Sequence, residues 1–217
     1  MNDQDCVRIV ELMASKVCHD LISPIGAVSN GVEFLEDAGD DGSVDPDVVN
    51  LIAFSAGQAA AKLKLFRLAY GAGGSDPSIK PEDVHKAFGD YVAGDKRVTQ
   101  DWDPHAPLGL ENPPPGFCKV LACLLLTMID SLPKGGKIKV FDGQDGSLHI
   151  QSEGENAAFR EGYKAALSGV ASPDILEPKT IHPYLSHMIC VHYGYSIHVF
   201  DEAENSILLS LRTAQVS

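Results

Sequence analysis

Apolar positions recur every third or fourth residue from residue 5 to residue 70. This spacing puts apolar side chains on one face of a helix, and it predicts a helix over residues 5–38. Gly39 and the turn residues 40–43 end this helix, and the pair Asp45-Pro46 starts a second one, since a capping carboxylate followed by proline is typical of a helix start. The two apolar seams comprise Val10, Met13, Val17, Leu21, Pro24, Val28, Val32 and Leu35, then Val48, Ile52, Ser55, Ala59, Leu63, Phe66 and Tyr70.

Two helices joined by so short a loop predict an antiparallel hairpin. A hairpin alone leaves its apolar seam poorly covered. We therefore expect a second copy of the chain to complete a four-helix bundle, which makes the protein a homodimer. The alternative is that the rest of the same chain covers the seam.

The pattern changes after residue 70, where the glycine-rich stretch 71–77 predicts a flexible linker between domains at 1–72 and 78–217. Beyond it, shorter helical and alternating patterns follow each other. They predict an α/β sandwich with helices over one face of a mixed sheet, and so an α+β fold overall. The helices are predicted at 81–92, 113–132, 157–168 and 181–193, and the strands at 98–102, 137–141, 147–151, 196–201 and 206–212.

Composition narrows the possible partners. A net charge of −13 disfavours binding to nucleic acid or to an anionic membrane surface. The first residues lack a secretory signal pattern, and the longest apolar run, 120–129, is too short to span a bilayer, so we expect a cytoplasmic protein. The five cysteines are expected to be reduced and mostly in the core. The histidines lack metal-ligand spacing, so no metal site is predicted.

The segment His19-Asp20-Leu21-Ile22-Ser23-Pro24 carries the candidate chemistry. His19 lies two positions from both Val17 and Leu21, and at about 100° per residue it points away from the apolar seam. An exposed imidazole can accept a phosphoryl group. The neighbours of His19 on its stripe of the helix are all small or polar: Ser15, Lys16, Ser23, Gly26 and Asn30.

Four residues close to His19 suit phosphoryl chemistry in different ways. Asp20 can accept a hydrogen bond from one ring nitrogen, which leaves the other nitrogen free to attack phosphorus. Lys16 can offset phosphate charge, Ser23 can position a water or a phosphate oxygen, and Gly26 can admit a partner's backbone. In a hairpin that turns near residue 42, the residues level with His19 are Lys62, Lys64, Leu65 and Phe66, and these are expected to flank the site.

Residues 19–24 resemble the phosphorylated box of histidine-kinase dimerisation domains, and the hairpin matches that family over residues 5–70. In that family the next domain binds ATP through recognisable motifs. The two asparagines of its nucleotide-binding helix correspond to Cys123 and Thr127, which cannot replace carboxamide ligands of magnesium. Ser152 replaces the aspartate that reads adenine, Asn156 replaces a glycine after it, and the expected glycine-rich loop at 180–183 contains no glycine.

A kinase-like hairpin beside a degenerate ATP domain resembles the ChpT-type histidine phosphotransferases. The pair Asn30-Gly31 also resembles the signature of that family, and the resemblance spans the whole chain. It implies a phosphotransferase with His19 and Asp20 as catalytic residues. The resemblance also implies that the phosphoryl group passes, through His19, from the receiver domain of a hybrid histidine kinase to the receiver domains of response regulators. No ATP and no cofactor of the protein's own are implied, because the receiver supplies magnesium.

Two alternatives stay open at this point. A true ATP-dependent histidine kinase is disfavoured by Cys123, Thr127 and Ser152. A non-catalytic dimeric scaffold that binds response regulators could also keep the histidine box as a relic.

Overall fold

The computed structural model of the protein describes residues 2–37, 45–94, 96–110 and 112–214. The predicted helix stop at Gly39 and the turn at 40–43 lie outside these ranges.

Two long helices form the first part of the protein, α1 (Asp3–Asp37) and α2 (Pro46–Tyr70). Asp45 caps α2 as predicted, because its side chain accepts a hydrogen bond of 2.9 Å from the backbone N–H of Asp47. The helices run antiparallel, since residue 31 meets residue 52 and residue 20 meets residue 62. The predicted hairpin is confirmed.

The remaining elements form a five-stranded sheet with helices on it, so the predicted α+β fold is confirmed. The elements are α3 (Pro81–Ala93), β1 (Val98–Asp101), α4 (Phe117–Ile129), β2 (Gly136–Asp142), β3 (Ser147–Glu153), α5 (Tyr163–Leu167), α6 (Ile181–His192), β4 (Tyr195–Ala203) and β5 (Ser206–Thr213). The strand order is β1-β2-β3-β5-β4, and among these strands only the β1–β2 pair is parallel, which makes the sheet mixed.

Two predicted helices are shorter in the structure. The helix predicted from residue 113 begins only at Phe117, because the prolines at 113–115 lack the N–H groups and the freedom in φ that a helix interior needs. The helix predicted over 157–168 is reduced to α5, which follows Gly162 in a left-handed conformation with φ +81°.

The main core lies between α4 and the sheet and continues into the end of α2. Leu65 and Ala69 of α2 are fully buried in the same cluster as α4. The Cys123 thiol donates to the carbonyl of Ala69 (3.1 Å), and the Lys119 ammonium donates to the carbonyl of Gly71 (2.6 Å). A short 3-10 helix, Ala72–Ser75, follows this contact. The division into domains at 1–72 and 78–217 stays a prediction.

The α1 helix packs against two different surfaces. Ile9 is buried against Ile181 and Tyr184 of α6, whereas Val10, predicted in the seam, is 67% exposed. The prediction for Val10 was wrong because the first turns of α1 pack on α6 and not on α2. Farther along, Gly31 faces α2 so closely that a Cβ there would lie 2.5 Å from Ile52.

Apolar side chains beyond these contacts stay exposed on the hairpin. The second half of the chain therefore covers only part of the seam. The large exposed apolar residues of the two helices are Val7, Val10, Ile22, Ile25, Val32, Phe34, Val49, Leu51, Phe54 and Leu63.

Arg8 ties the start of α1 to the second half. Its guanidinium donates to the carbonyls of Pro173 (2.8 Å) and Leu176 (3.0 Å). Together with the contacts of Lys119 and Cys123 at the end of α2, these bonds hold the hairpin to the α/β half at two separate places.

All five cysteines are free thiols. Cys118, Cys123 and Cys190 are buried as expected, but Cys6 and Cys18 are exposed because they lie on outer faces of α1. Among the described residues, no helix is both long and apolar enough to cross a bilayer.

Candidate functional site

His19 lies on α1 with its side chain open to solvent. The imidazole is 84% exposed, which agrees with its predicted orientation away from the seam. Its Nδ1 lies 3.3 Å from Oδ1 of Asp20, so a protonated Nδ1 can donate a hydrogen bond to that carboxylate. This contact leaves the other ring nitrogen, Nε2, on the side of the exposed ring away from Asp20.

Asp20 is itself held by two lysines. Its side chain is only 12% exposed, and Oδ1 lies 2.9 Å from the ammonium of Lys16, one turn earlier on α1. From α2, Lys62 donates a hydrogen bond of 2.9 Å to the backbone carbonyl of Asp20. The predicted cluster of His19, Asp20, Lys16 and Lys62 is thus brought together, and the carboxylate that faces the imidazole is anchored.

The other residues predicted for the site divide into exposed and buried ones. Ser23 and Asn30 are exposed, and a Cβ built on Gly26 would meet nothing within 4 Å, so this stripe of α1 is open. Phe66 is only 5% exposed and its ring contacts Tyr70 and His182. Phe66 is predicted to flank the site, and at this burial it can support the site from within but cannot contact a partner.

A cavity of about 370 Å³ opens directly beside His19. One wall comes from α1 and the other from the α/β half, so residues more than a hundred positions apart in the chain face each other across it. The lining residues are Ser15, Lys16 and His19 on one side and Asp130, Arg160, Tyr163, Pro178 and Lys179 on the other.

Asp130 brings a second carboxylate to this cavity. It follows the last turn of α4, and its Oδ2 accepts a hydrogen bond of 2.6 Å from the hydroxyl of Tyr163. Burial raises the pKa of Asp130, while the Tyr163 hydrogen bond and the charges of Lys16 and Arg160 oppose that rise. Burial and the carboxylate also raise the pKa of Tyr163, so its hydroxyl stays a donor at neutral pH.

His182 and Tyr70 form a buried pair behind the site. The Tyr70 hydroxyl lies 2.6 Å from Nδ1 of His182, and the two rings stack with centroids 5.4 Å apart. Burial, with a smaller contribution from the charge of Lys16, lowers the pKa of His182 to about 4, while Asp20 opposes this. His182 is therefore neutral at pH 7, and in the tautomer with its proton on Nε2 it accepts a hydrogen bond from the Tyr70 hydroxyl.

The sequence did not indicate Asp130, Arg160, Tyr163, Lys179 or His182 as site residues. None of them stands in a local pattern that signals chemistry, and they approach His19 only through tertiary packing. His182 has no metal-ligand spacing in the sequence, and in the structure it is a buried histidine.

Three of the positions that correspond to nucleotide-binding motifs, Cys123, Thr127 and Ser152, are fully buried and hydrogen-bonded within the protein. Thr127 Oγ1 donates to the carbonyl of Cys123 (3.1 Å) and lies 2.9 Å from Oγ of Ser186 on α6. Ser152 Oγ lies 2.6 Å from Oγ of Ser131. Across the residues that the structure describes, no group of three or more histidine, cysteine or acidic side chains could hold a metal ion.

Comparison with known proteins gives a consistent result. Residues 81–205 match the family model of the histidine phosphotransferase C-terminal domain. Over 200 residues, the chain is 30% identical to protein phosphotransferase ChpT of Brucella abortus (strain 2308), covering 90% of this chain and 91% of that protein. The chain belongs to the ChpT-type histidine phosphotransferase family.

A solved structure agrees with membership of the ChpT-type family. A bacterial phosphotransferase superposes with a TM-score of 0.76 at 28% identity, over 98% of both chains. The Acinetobacter baumannii histidine kinase AdeS aligns at 15% identity over 90% of this chain and 97% of its own, with a TM-score of 0.47, a likeness too weak to carry an argument. Phosphotransferase activity is thus the activity of the ChpT-type family to which the chain belongs.

Proposed function

We propose that the protein carries a phosphoryl group on His19 and passes it between receiver domains, from a hybrid histidine kinase to response regulators. The observation that carries this proposal is an exposed imidazole whose Nδ1 faces an anchored carboxylate, Asp20. That contact favours the neutral tautomer with its proton on Nδ1, in which the lone pair of Nε2 is available to phosphorus.

The transfer needs little from this chain beyond position and charge. Nε2 of His19 attacks the phosphorus of an aspartyl phosphate, the bond to the carboxylate oxygen breaks, and the aspartate of the receiver leaves with that electron pair. Asp20 stabilises the positive charge that develops on the ring, and Lys16 offsets charge on the phosphoryl oxygens. Magnesium bound by the receiver neutralises the remaining charge, so we expect no cofactor held by this protein.

The packing of α6 on α4 supports the absence of ATP binding. Cys123, Thr127 and Ser186 are fully buried, and their polar groups already have partners within the protein. A nucleotide at the position that the kinase resemblance indicates would have to separate these helices.

The exposed apolar residues of the hairpin support a homodimer. Monomeric proteins rarely leave large contiguous apolar patches exposed. Ile25 and Val32 lie seven residues apart on one stripe of α1, and Val49 and Leu63 of α2 are exposed as well. We propose that a second copy packs here to form a four-helix bundle, and that His19, on the opposite side, stays accessible.

Radiolabelled ATP and a radiolabelled phosphorylated receiver domain distinguish the proposal from its alternatives. We expect acid-labile label on the protein only after incubation with the receiver. Label acquired from ATP alone would show a working kinase and would overturn the interpretation of the buried α4–α6 contact. No label from any of several receivers would favour a scaffold that binds response regulators without accepting phosphate.

Charges introduced on the exposed stripe of α1 test the dimer. The double substitution Ile25→Glu with Val32→Glu is expected to convert the protein from dimer to monomer, since it buries four carboxylates in the bundle without partners. Light scattering coupled to gel filtration gives the molar mass. Val170→Glu, at an exposed apolar residue of the α/β half, is the matched control and should leave the dimer intact. A dimer that survives the double substitution would place the interface elsewhere.

A further inference from the structure

The cavity beside His19 contains a carboxylate that the transfer chemistry does not use. We propose that Asp130 of the α/β half sets how strongly His19 holds its phosphoryl group. Its negative charge, facing the phosphoryl group across the cavity, raises the free energy of the phosphorylated protein and favours onward transfer to an acceptor. This inference rests on the proposed function of His19.

The local structure keeps Asp130 in one place. Its backbone caps the C-terminal end of α4, a helix that is buried along nearly its whole length. Its carboxylate receives the 2.6 Å hydrogen bond from Tyr163, whose ring is itself buried. The position of this charge is therefore fixed by the core and does not depend on a mobile surface side chain.

Burial raises the pKa of Asp130, whereas its hydrogen bond and the nearby cations favour its charged form. A hydroxyl that donates to a carboxylate stabilises the ionised state, and the cationic groups of Lys16 and Arg160 line the same cavity. Because the carboxylate is partly withdrawn from solvent, its field in the cavity is screened less than that of a surface carboxylate. Burial and the neighbouring charge of Asp20 both act against ionisation, and the Asp130→Asn comparison tests the charge directly.

Lys16 connects the two carboxylates. Its ammonium is 2.9 Å from Asp20, and it faces the cavity into which Asp130 also opens. A phosphoryl group on His19 has to share Lys16 with both carboxylates. Removing the charge of Asp130 therefore lowers the repulsion on the phosphoryl group and leaves more of the Lys16 charge for it. Both effects act in the same direction.

The equilibrium of phosphoryl transfer measures this effect directly. The wild-type protein and Asp130→Asn are each mixed with a labelled acceptor receiver until the distribution of label is constant. Asparagine keeps the size of the side chain and can still accept from Tyr163. We expect severalfold more label on His19 of Asp130→Asn, relative to the receiver, than on wild type. Only protein molecules that can accept label are counted in this ratio. A variant that is merely less stable therefore gives the same ratio as wild type.

Two further variants make the comparison specific. Asp130→Glu keeps the negative charge, so its ratio should be close to the wild-type ratio. This comparison also holds if Asp130→Asn folds poorly. Asp145→Asn removes one carboxylate at an exposed turn, where Asp145 pairs with Arg212, and should leave the ratio unchanged. It has the same change in net charge as Asp130→Asn.

An unchanged ratio in Asp130→Asn would mean that Asp130 is uncharged or too well screened to matter. A ratio shifted towards the receiver would mean that Asp130 helps to hold the phosphoryl group. Either result would overturn this inference while leaving the role of His19 intact. In contrast, if His19→Gln accepted as much label as wild type, the proposed function itself would be refuted.

Discussion

Replacing His19 with glutamine is expected to abolish phosphoryl transfer, with a loss in rate on the order of 10⁴-fold or more. Glutamine is close to histidine in size and can still donate a hydrogen bond to Asp20, so the local structure should persist. Its carboxamide lacks a nucleophilic nitrogen lone pair and cannot accept the phosphoryl group. The initial rate at which a labelled receiver loses phosphate to the protein gives the measurement.

A second histidine of similar exposure provides the control for this experiment. His105 is 72% exposed and lies 3.1 Å from Glu82, in a loop of the α/β half. His105→Gln should transfer phosphate at the wild-type rate. If His19→Gln kept a substantial part of the wild-type rate, the phosphoryl group would have to be accepted by another residue.

Acidification from pH 6.5 to pH 4 is expected to reduce the free energy of unfolding by about 3 kcal/mol through His182 alone. The pKa of His182 is lowered to about 4 in the folded protein, from 6.5 in the unfolded chain. Between these values the unfolded chain binds a proton that the folded protein does not bind. The stabilising effect of neutral His182 is therefore complete above pH 6.5 and is lost as the pH falls towards 4.

Urea denaturation at several pH values, followed by circular dichroism, measures this dependence. Other groups also titrate in this range, so the readout is the difference in slope between variants. The side chain of His182→Gln can still accept a hydrogen bond from the Tyr70 hydroxyl. The free energy of unfolding of this variant should depend less on pH than that of wild type, whereas His105→Gln should show the wild-type dependence. Equal slopes in His182→Gln and wild type would mean that His182 is not protonated preferentially in the unfolded chain.

The helices and the histidine could be predicted because their signals are local. A three–four spacing of apolar residues indicates a long helix, and the pair Asp45-Pro46 marks where the next one starts. The orientation of His19 follows from its distance to Val17 and Leu21 along the same helix. The hydrogen-bonded partner Asp20 is the next residue in the chain. Each of these inferences depends on a few consecutive turns.

The opposite wall of the cavity could not be predicted, because it depends on packing between distant segments. Asp130 ends one helix and Tyr163 begins another, and nothing in either segment indicates that their side chains meet beside His19. The burial of Ile9 in place of Val10 has the same origin. A helical pattern gives an apolar face, but the direction of that face within the protein depends on α6.

The fully buried contact between α4 and α6 also limits how the protein could be re-engineered. Asparagines placed at Cys123 and Thr127 would imitate the kinase pattern, yet each would bring a carboxamide with two polar atoms into a fully buried position. Their carboxamides would displace the hydroxyl of Ser186, whose contact with Thr127 is fully buried. Two point substitutions should therefore destabilise the fold before they create a nucleotide pocket. Conversion into a kinase would require moving α6 first.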